Sequence, residues 1–372
     1  MNQSIKILII KALLLLTFVF SGQELYAQNV KLINKFETKS NIYSSPAVTS
    51  DDIVVFGGHD KYIYFFDKNA QLLNKYKTKG WVHASPKVLS NGNIAVGSYD
   101  RHMYIFNPNG KIIKRFKPGG KIFSKVLELD DGRLVFGSNK KGLVFYNMKE
   151  NTSISFNTHG LAHTDLSVLS NGNIATGSLG KYVYLVDQNA KEVARYKTNG
   201  WLLHSKPTEL TNGTILVGSY DKSLYFLNSK LEVQTKFETK GKIHGNPLIL
   251  NDSTIVIGSF DESIYFLNYR GILISRFKTD GKIISSPVKL SNGTVVVGSY
   301  DNFVYFLSPK GNLIGKFETG GNIFSTPVVM SDDTVVVGSN DNHIYFLRLE
   351  NKENNDRQLL TAPETLVSQS GQ

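Results

Sequence analysis

The sequence predicts an all-β fold, an eight-bladed β-propeller of four-stranded antiparallel blades. Two observations carry that prediction. A hairpin-like stretch, typified by Val295 to Leu307 (VVVGSYDNFVYFL), recurs eight times, its turn opening at Gly57, Gly97, Gly137, Gly177, Gly218, Gly258, Gly298 and Gly338, with spacings of 40 residues and a single 41. Inside each period only strand chemistry occurs, β-branched and aromatic runs separated by Gly, Asn, Ser and Asp, and no helical period stands outside the N-terminus. One small sheet cannot bury both of its faces, so a fixed period of this kind implies a ring in which each sheet covers the next.

Within the repeat from Gly281 to Thr319, Lys282 to Leu290 reads as the first strand and Asn292-Gly293 as a turn suited to positive φ. Thr294 to Gly298 is the second strand, Phe303 to Leu307 the third, and Asn312 to Glu318 the fourth, after a turn at Ser308 to Gly311. The ends of the array are offset. Residues 30 to 37 (VKLINKFE) match a fourth strand, while the last repeat stops at Leu349 after its third. Strand Val30 to Phe36 is therefore expected to complete the blade made by residues 321 to 350, closing the ring and removing a free sheet edge.

Three segments follow from composition. Residues 1–27 read as a signal peptide: Lys6, an apolar run from Ile7 to Phe20 broken only by Lys11, then SGQELYA with a cut after Ala27. Residues 28–350 form the propeller, and residues 351–372 a disordered polar tail. The chain has no cysteine, which excludes disulfides, thiol catalysis and lipid attachment through an N-terminal cysteine. Its net charge is +11, and a Lys or Arg precedes the aromatic of most fourth strands: Lys35, Lys75, Arg115, Arg195, Lys236, Arg276 and Lys316. Lysine on an outer edge blunts edge-to-edge pairing, and the same rim would meet an acidic partner. Nucleic acid is not expected as the partner of an exported protein.

The eight copies act as controls on one another. Asp60, Asp100, Asp221, Asp261, Asp301 and Asp341 recur in the second-to-third-strand turn and read as acceptors of backbone hydrogen bonds. Tyr64, Tyr104, Tyr184, Tyr225, Tyr265, Tyr305 and Tyr345 recur on the third strand as packing residues, with Val144 the exception. Lys140 and Gly180 replace the aspartate in the third and fourth repeats.

With SSP opening its first strand and VVVGSYDNFVYFL following, the unit resembles the repeat of the pyrroloquinoline-quinone (PQQ) type propellers, over residues 30 to 350. That superfamily includes quinoprotein dehydrogenases and non-catalytic outer-membrane assembly scaffolds. The resemblance implies the propeller fold but not one activity. Where family repeats end with a tryptophan that docks between blades, this chain has Phe36, Tyr76, Phe116, Phe156, Tyr196, Phe237, Phe277 and Phe317. It lacks the vicinal cysteine pair of the quinoproteins, and its turn aspartates lie one to a blade rather than clustered for calcium, so no cofactor is expected.

Positions free to vary collect at the start of the first strand, which lines the central channel: Tyr43, His83, Phe123, His163, Leu203 or His204, His244, Ile284 and Phe324. Two positions earlier stand Trp81, Lys121, Trp201, Lys242 and Lys282; two later stand Lys125, Asp165 and Asn246. This ring should surround the channel mouth on the face of the second-to-third-strand turns. Three readings fit it. The histidines plug the channel; or Tyr43, Trp81, His83, Lys125, His163, Asp165, Trp201, His204 and His244 bind a ligand or partner; or His163, His204 and His244 hold a metal, for which neither an HExxH pattern nor a carboxylate partner is present. No catalytic residues are assigned, since phosphate-gripping loops, GxSxG elbows and paired-carboxylate motifs are missing. The sequence thus points to an exported, periplasmic or extracellular, monomeric and non-catalytic scaffold with a protein partner in the cell envelope. The alternatives are a small-molecule or glycan-binding propeller using the channel mouth, and a PQQ-dependent dehydrogenase-like enzyme.

Overall fold

Each repeat folds into one four-stranded antiparallel sheet whose strands follow chain order from the innermost outward. The structure, a computed structural model, describes residues 29–140, 142–250 and 254–350; the expected signal peptide and C-terminal tail lie outside the described residues. Eight such sheets form blades 1 to 8, at residues 47–77, 87–116, 127–156, 167–197, 208–238, 248–278, 288–318 and 328–349. Blade 8 receives its outer strand from the other end of the chain. Val30–Glu37 pairs antiparallel with His343–Leu349, from Val30 opposite Leu349 to Glu37 opposite His343. The expected closure is therefore present.

The second and third strands are buried on both faces because every blade is sandwiched between two others. Val295, Val296 and Val297 are all fully buried, although adjacent strand residues point to opposite sides. One core layer fills each gap between blades: Phe56, Tyr64 and Phe66 of blade 1 pack with Val336, Ile344 and Phe346 of blade 8. The fourth-strand aromatic enters the same gap, Phe36 lying 5.0 Å from Phe66 and Tyr76 5.2 Å from Phe106. Burying each such side chain stabilises the ring by about 1.5–3 kcal/mol. The turn glycine is required by this packing, since a Cβ on Gly298 would stand 2.2 Å from Ile323 Cγ2 of the next blade.

Two expectations need correction. Lys282 to Leu290 pairs as a strand only at Val288–Lys289. Upstream of that point the backbone bonds to the neighbouring blade instead, the Ser286 amide donating to Thr326 Oγ1 at 3.1 Å. The third-strand tyrosines also do more than pack. Tyr305 donates its hydroxyl to Asp301 Oδ2 at 2.9 Å, and the same oxygen accepts the Asp280 amide from the preceding blade at 3.0 Å. This clamp recurs in blades 1, 2, 5, 6 and 8 through Asp60, Asp100, Asp221, Asp261 and Asp341. Lys140 and Val144 of blade 3 therefore form one substitution, the loss of both partners of a bond. Blade 4, with Gly180, has Tyr184 bonded to His159 instead, at 2.6 Å to the ring. On the opposite face, Ser90 and Ser170 donate to Glu128 and Glu209 of the following blades.

Candidate functional site

First strands begin at the channel, so the residues just before their ladders face the axis. The structure brings the variable ring together there, but as a plug rather than an open mouth. Phe324 approaches His83, His204 and His244 across the channel at centroid separations of 6.2, 5.9 and 5.3 Å. Tyr43 packs on Phe324 at 5.1 Å, Phe123 stacks on His163 at 4.7 Å, and His163 meets His204 edge-on at 4.9 Å. What stays open is a cavity of about 50 Å³ lined by Tyr43, His83, Lys125, Asp165, His204, His244 and their neighbours. Of the sequence-predicted residues, these six line the cavity and His163 supports them from behind. Trp81 and Trp201 stand outside it, exposed at 49% and 52%.

His204 rather than Leu203 takes the ring position. The single extra residue of the fifth repeat is absorbed by His204 adopting φ 61°, a region that non-glycine residues seldom occupy. That places it 4.7 Å from His244. Such crowding decides the charge state. Burial, then His59, His163 and His244, hold His83 down to about 3; burial and His163 hold His244 at about 4, against a raising hydrogen bond from its Nδ1 to the Ile284 carbonyl. His204 lies well below its ordinary value through burial and the same neighbours, and burial lowers His163. The ring is neutral at pH 7. Four crowded imidazoles are not by themselves a metal site, and among the described residues no three His, Cys, Asp or Glu side chains are placed to hold an ion.

Around the plug lies an aromatic rim that sequence reasoning underrated. The residue after the turn serine or glycine in five repeats is aromatic or imidazole (His59, Tyr99, Tyr220, Phe260, Tyr300) and lies beside the ring. His59 stacks flat on Trp81 at 4.7 Å and 7° and hydrogen-bonds His83, Nε2 to Nδ1, at 3.2 Å. Tyr99 sits between Trp81 and His83 at 6.1 and 5.8 Å, and burial raises its phenol to about 12. Trp201 lies against Tyr220 at 6.4 Å. Where the Trp column switches to lysine, the ammonium groups cover the same aromatics: Lys121 over Tyr99 at 5.4 Å, Lys242 over Tyr220 at 4.8 Å and Lys282 over Phe260 at 5.8 Å. Each contact contributes about 0.5–1 kcal/mol at an exposed site. The face is thus a shallow aromatic bowl with basic groups on its wall. The signal that could have found it was the alternation of Tyr, Phe and His at one turn position.

No family model matches the chain, and no curated protein sequence matches it. Its fold is shared by many solved structures. BamB from Moraxella catarrhalis superposes with a TM-score of 0.70 at 11% identity, covering 87% of this chain and 98% of its own. The C-terminal WD40 domain of Sif2 gives 0.72 at 14% identity, covering 88% and 100%. The computationally designed Ika8 protein gives 0.70 at 16%, covering 87% and 99%. At these identities the likeness is one of fold.

Proposed function

We propose that this protein is a non-catalytic interaction scaffold that engages a protein partner on the aromatic bowl around the plugged channel. The observation that carries the reading is the pairing of exposed Trp81 and Trp201 with Lys121, Lys242 and Lys282 on one concave face. Aromatic anchors beside cations suit a segment with apolar side chains among carboxylates. The resemblance of the repeat to PQQ-type propellers suits work in the cell envelope; residues 1–27 would direct export, residues 28–350 would act as one monomeric domain, and residues 351–372 would trail from it. A second reading has one observation in its favour. Trp81, held flat by His59, keeps about half of its surface in solvent (49%), and such an exposed indole is a platform on which a sugar ring stacks.

The test is site-specific photo-crosslinking in cells. A crosslinker replacing Trp201 should capture one protein in near-stoichiometric yield, and one replacing Ile274 on the outer edge of blade 6 should not. Capture from Ile274 alone would refute use of the bowl; no protein from either position, together with glycan binding lost in Trp81→Ala, would establish the second reading.

A further inference from the structure

A belt of hydrogen bonds runs around the channel one layer below the plug. In six of its links a backbone amide donates to a side-chain oxygen of the next blade: Ser45 to Ser85 Oγ at 3.0 Å, Lys125 to Asp165 Oδ1 at 3.0 Å, Lys206 to Asn246 Oδ1 at 2.6 Å, Asn246 to Ser286 Oγ at 2.8 Å, Ser286 to Thr326 Oγ1 at 3.1 Å and Thr326 to Ser45 Oγ at 2.9 Å. The two remaining links meet a lysine, Lys125 after Ser85 and Lys206 after Asp165. An ammonium group has no acceptor to offer. At the first break the amide of Ser85, in the repeat position from which the others donate, has a lysine rather than an oxygen-bearing side chain at the next blade's position, and both residues line the cavity.

We propose that this cavity binds one small oxyanion, inorganic phosphate or a molecule of its size and charge, between the Lys125 ammonium and the Ser85 amide. Only an added acceptor mends the belt there, and an anion satisfies both donors at once. Lys125, Ser85 and Asp165 all line the cavity. Charge favours the same occupant: Lys87 and Lys206 lie close enough to act on Lys125, and Asp165 is the one carboxylate among them, with an oxygen already taken by the Lys125 amide. Burial and the two lysines lower the Lys125 ammonium, against the raising effect of Asp165, so a bound anion would relieve a charge the site now bears poorly. Size agrees as well. At roughly 10–15 Å³ per water-sized sphere, a cavity of about 50 Å³ has room for a few waters or one oxyanion. Of the neutral histidines above, His204 can donate through N–H without competing as a charge, whereas the N–H of His244 is already given to the Ile284 carbonyl.

This site is independent of the bowl, and neither Trp81 nor Trp201 takes part in it. The full chain, purified without phosphate, is melted against inorganic phosphate at constant ionic strength. The expected result is a saturable rise in melting temperature, about 2 °C at about ten times the dissociation constant. Lys125→Gln, which supplies the missing acceptor and removes the charge, should abolish the rise, while Lys121→Gln on the bowl should retain it. A rise that is linear and equal in Lys125→Gln would reflect general exclusion of phosphate from the surface and overturns the proposal; so does no rise. Should Lys125→Gln fail to fold, wild-type crystals soaked in selenate decide: an anomalous peak beside Lys125 Nζ supports the site, and its absence there overturns it.

Discussion

Acidification should loosen the plug, and the size of the effect follows from the histidine ring. His83, His204 and His244 have folded-state values far below the 6.5 of an unfolded histidine, so below that pH the unfolded chain binds protons that the folded chain refuses. Stability conferred by the neutral ring is complete above pH 6.5, falls as pH drops through it, and levels off near pH 3–4, where His83 and His244 themselves protonate. At pH 5 an imidazole held neutral costs the folded state about 2 kcal/mol relative to the unfolded one. His83 and His204 keep some surface at the channel, so about half of that is the fairer figure for them, and with buried His244 the three give about 4 kcal/mol. Out of a typical 5–15 kcal/mol this is large, and should lower the melting temperature by about 5 °C or more between pH 7.5 and 5.0. The assay is thermal unfolding followed by circular dichroism in wild type and in His204→Gln/His244→Gln, which should show a much flatter pH dependence. The groups facing the ring are Tyr43, Tyr99, Tyr220, Lys125, Asp165 and the further imidazoles His59 and His163, which burial also holds below their ordinary value and which therefore add to the same trend. A wild-type midpoint that moves by less than about 2 °C, or a variant with the same slope, would refute the reasoning.

Other consequences are equally direct. Asp301→Ala strands the Tyr305 hydroxyl and the amides of Asp280 and Phe303, and should destabilise the protein by about 1–3 kcal/mol in urea titration. Gly298→Ala drives a methyl group into Ile323 and should cost about 1–3 kcal/mol, with Ile323→Ala giving a less than additive double variant. Deleting residues 28–37 exposes the edge of His343–Leu349, and sedimentation should find aggregated or unfolded chain; a monomer that melts cooperatively would refute the closure.

Architecture was legible in the sequence because eight copies vote on each position, so Gly298, Val295–Val297 and the strand-turn order could be read without any partner. The clamp was not, since Asp301 and Tyr305 are four apart in sequence but their third partner, the Asp280 amide, belongs to the preceding blade. Loss of Asp and Tyr at Lys140 and Val144 was visible as two exceptions, and only the bond between their counterparts makes them one. Six of the ring residues meet at one cavity, among them Tyr43, His83 and His244. Whether they leave the channel open depends on how far side chains such as Phe324 reach across the axis, a quantity that repeat spacing does not encode. The belt was hidden for a similar reason: Ser45 and Ser85 look like ordinary strand residues until the register of adjacent blades aligns the amide of one with the hydroxyl of the other.

The closing ladder also sets how the ring bears load. Val30 and Leu349 are paired at the same end of two antiparallel strands, so the chain enters and leaves the propeller at neighbouring points. A pull applied between these two residues opens the pairs one at a time from that end, as a zipper, instead of shearing all of them together. Blade 8 is thus the weak seam under tension, while the other seven blades, each continuous through its hairpins, feel the force only after it has parted.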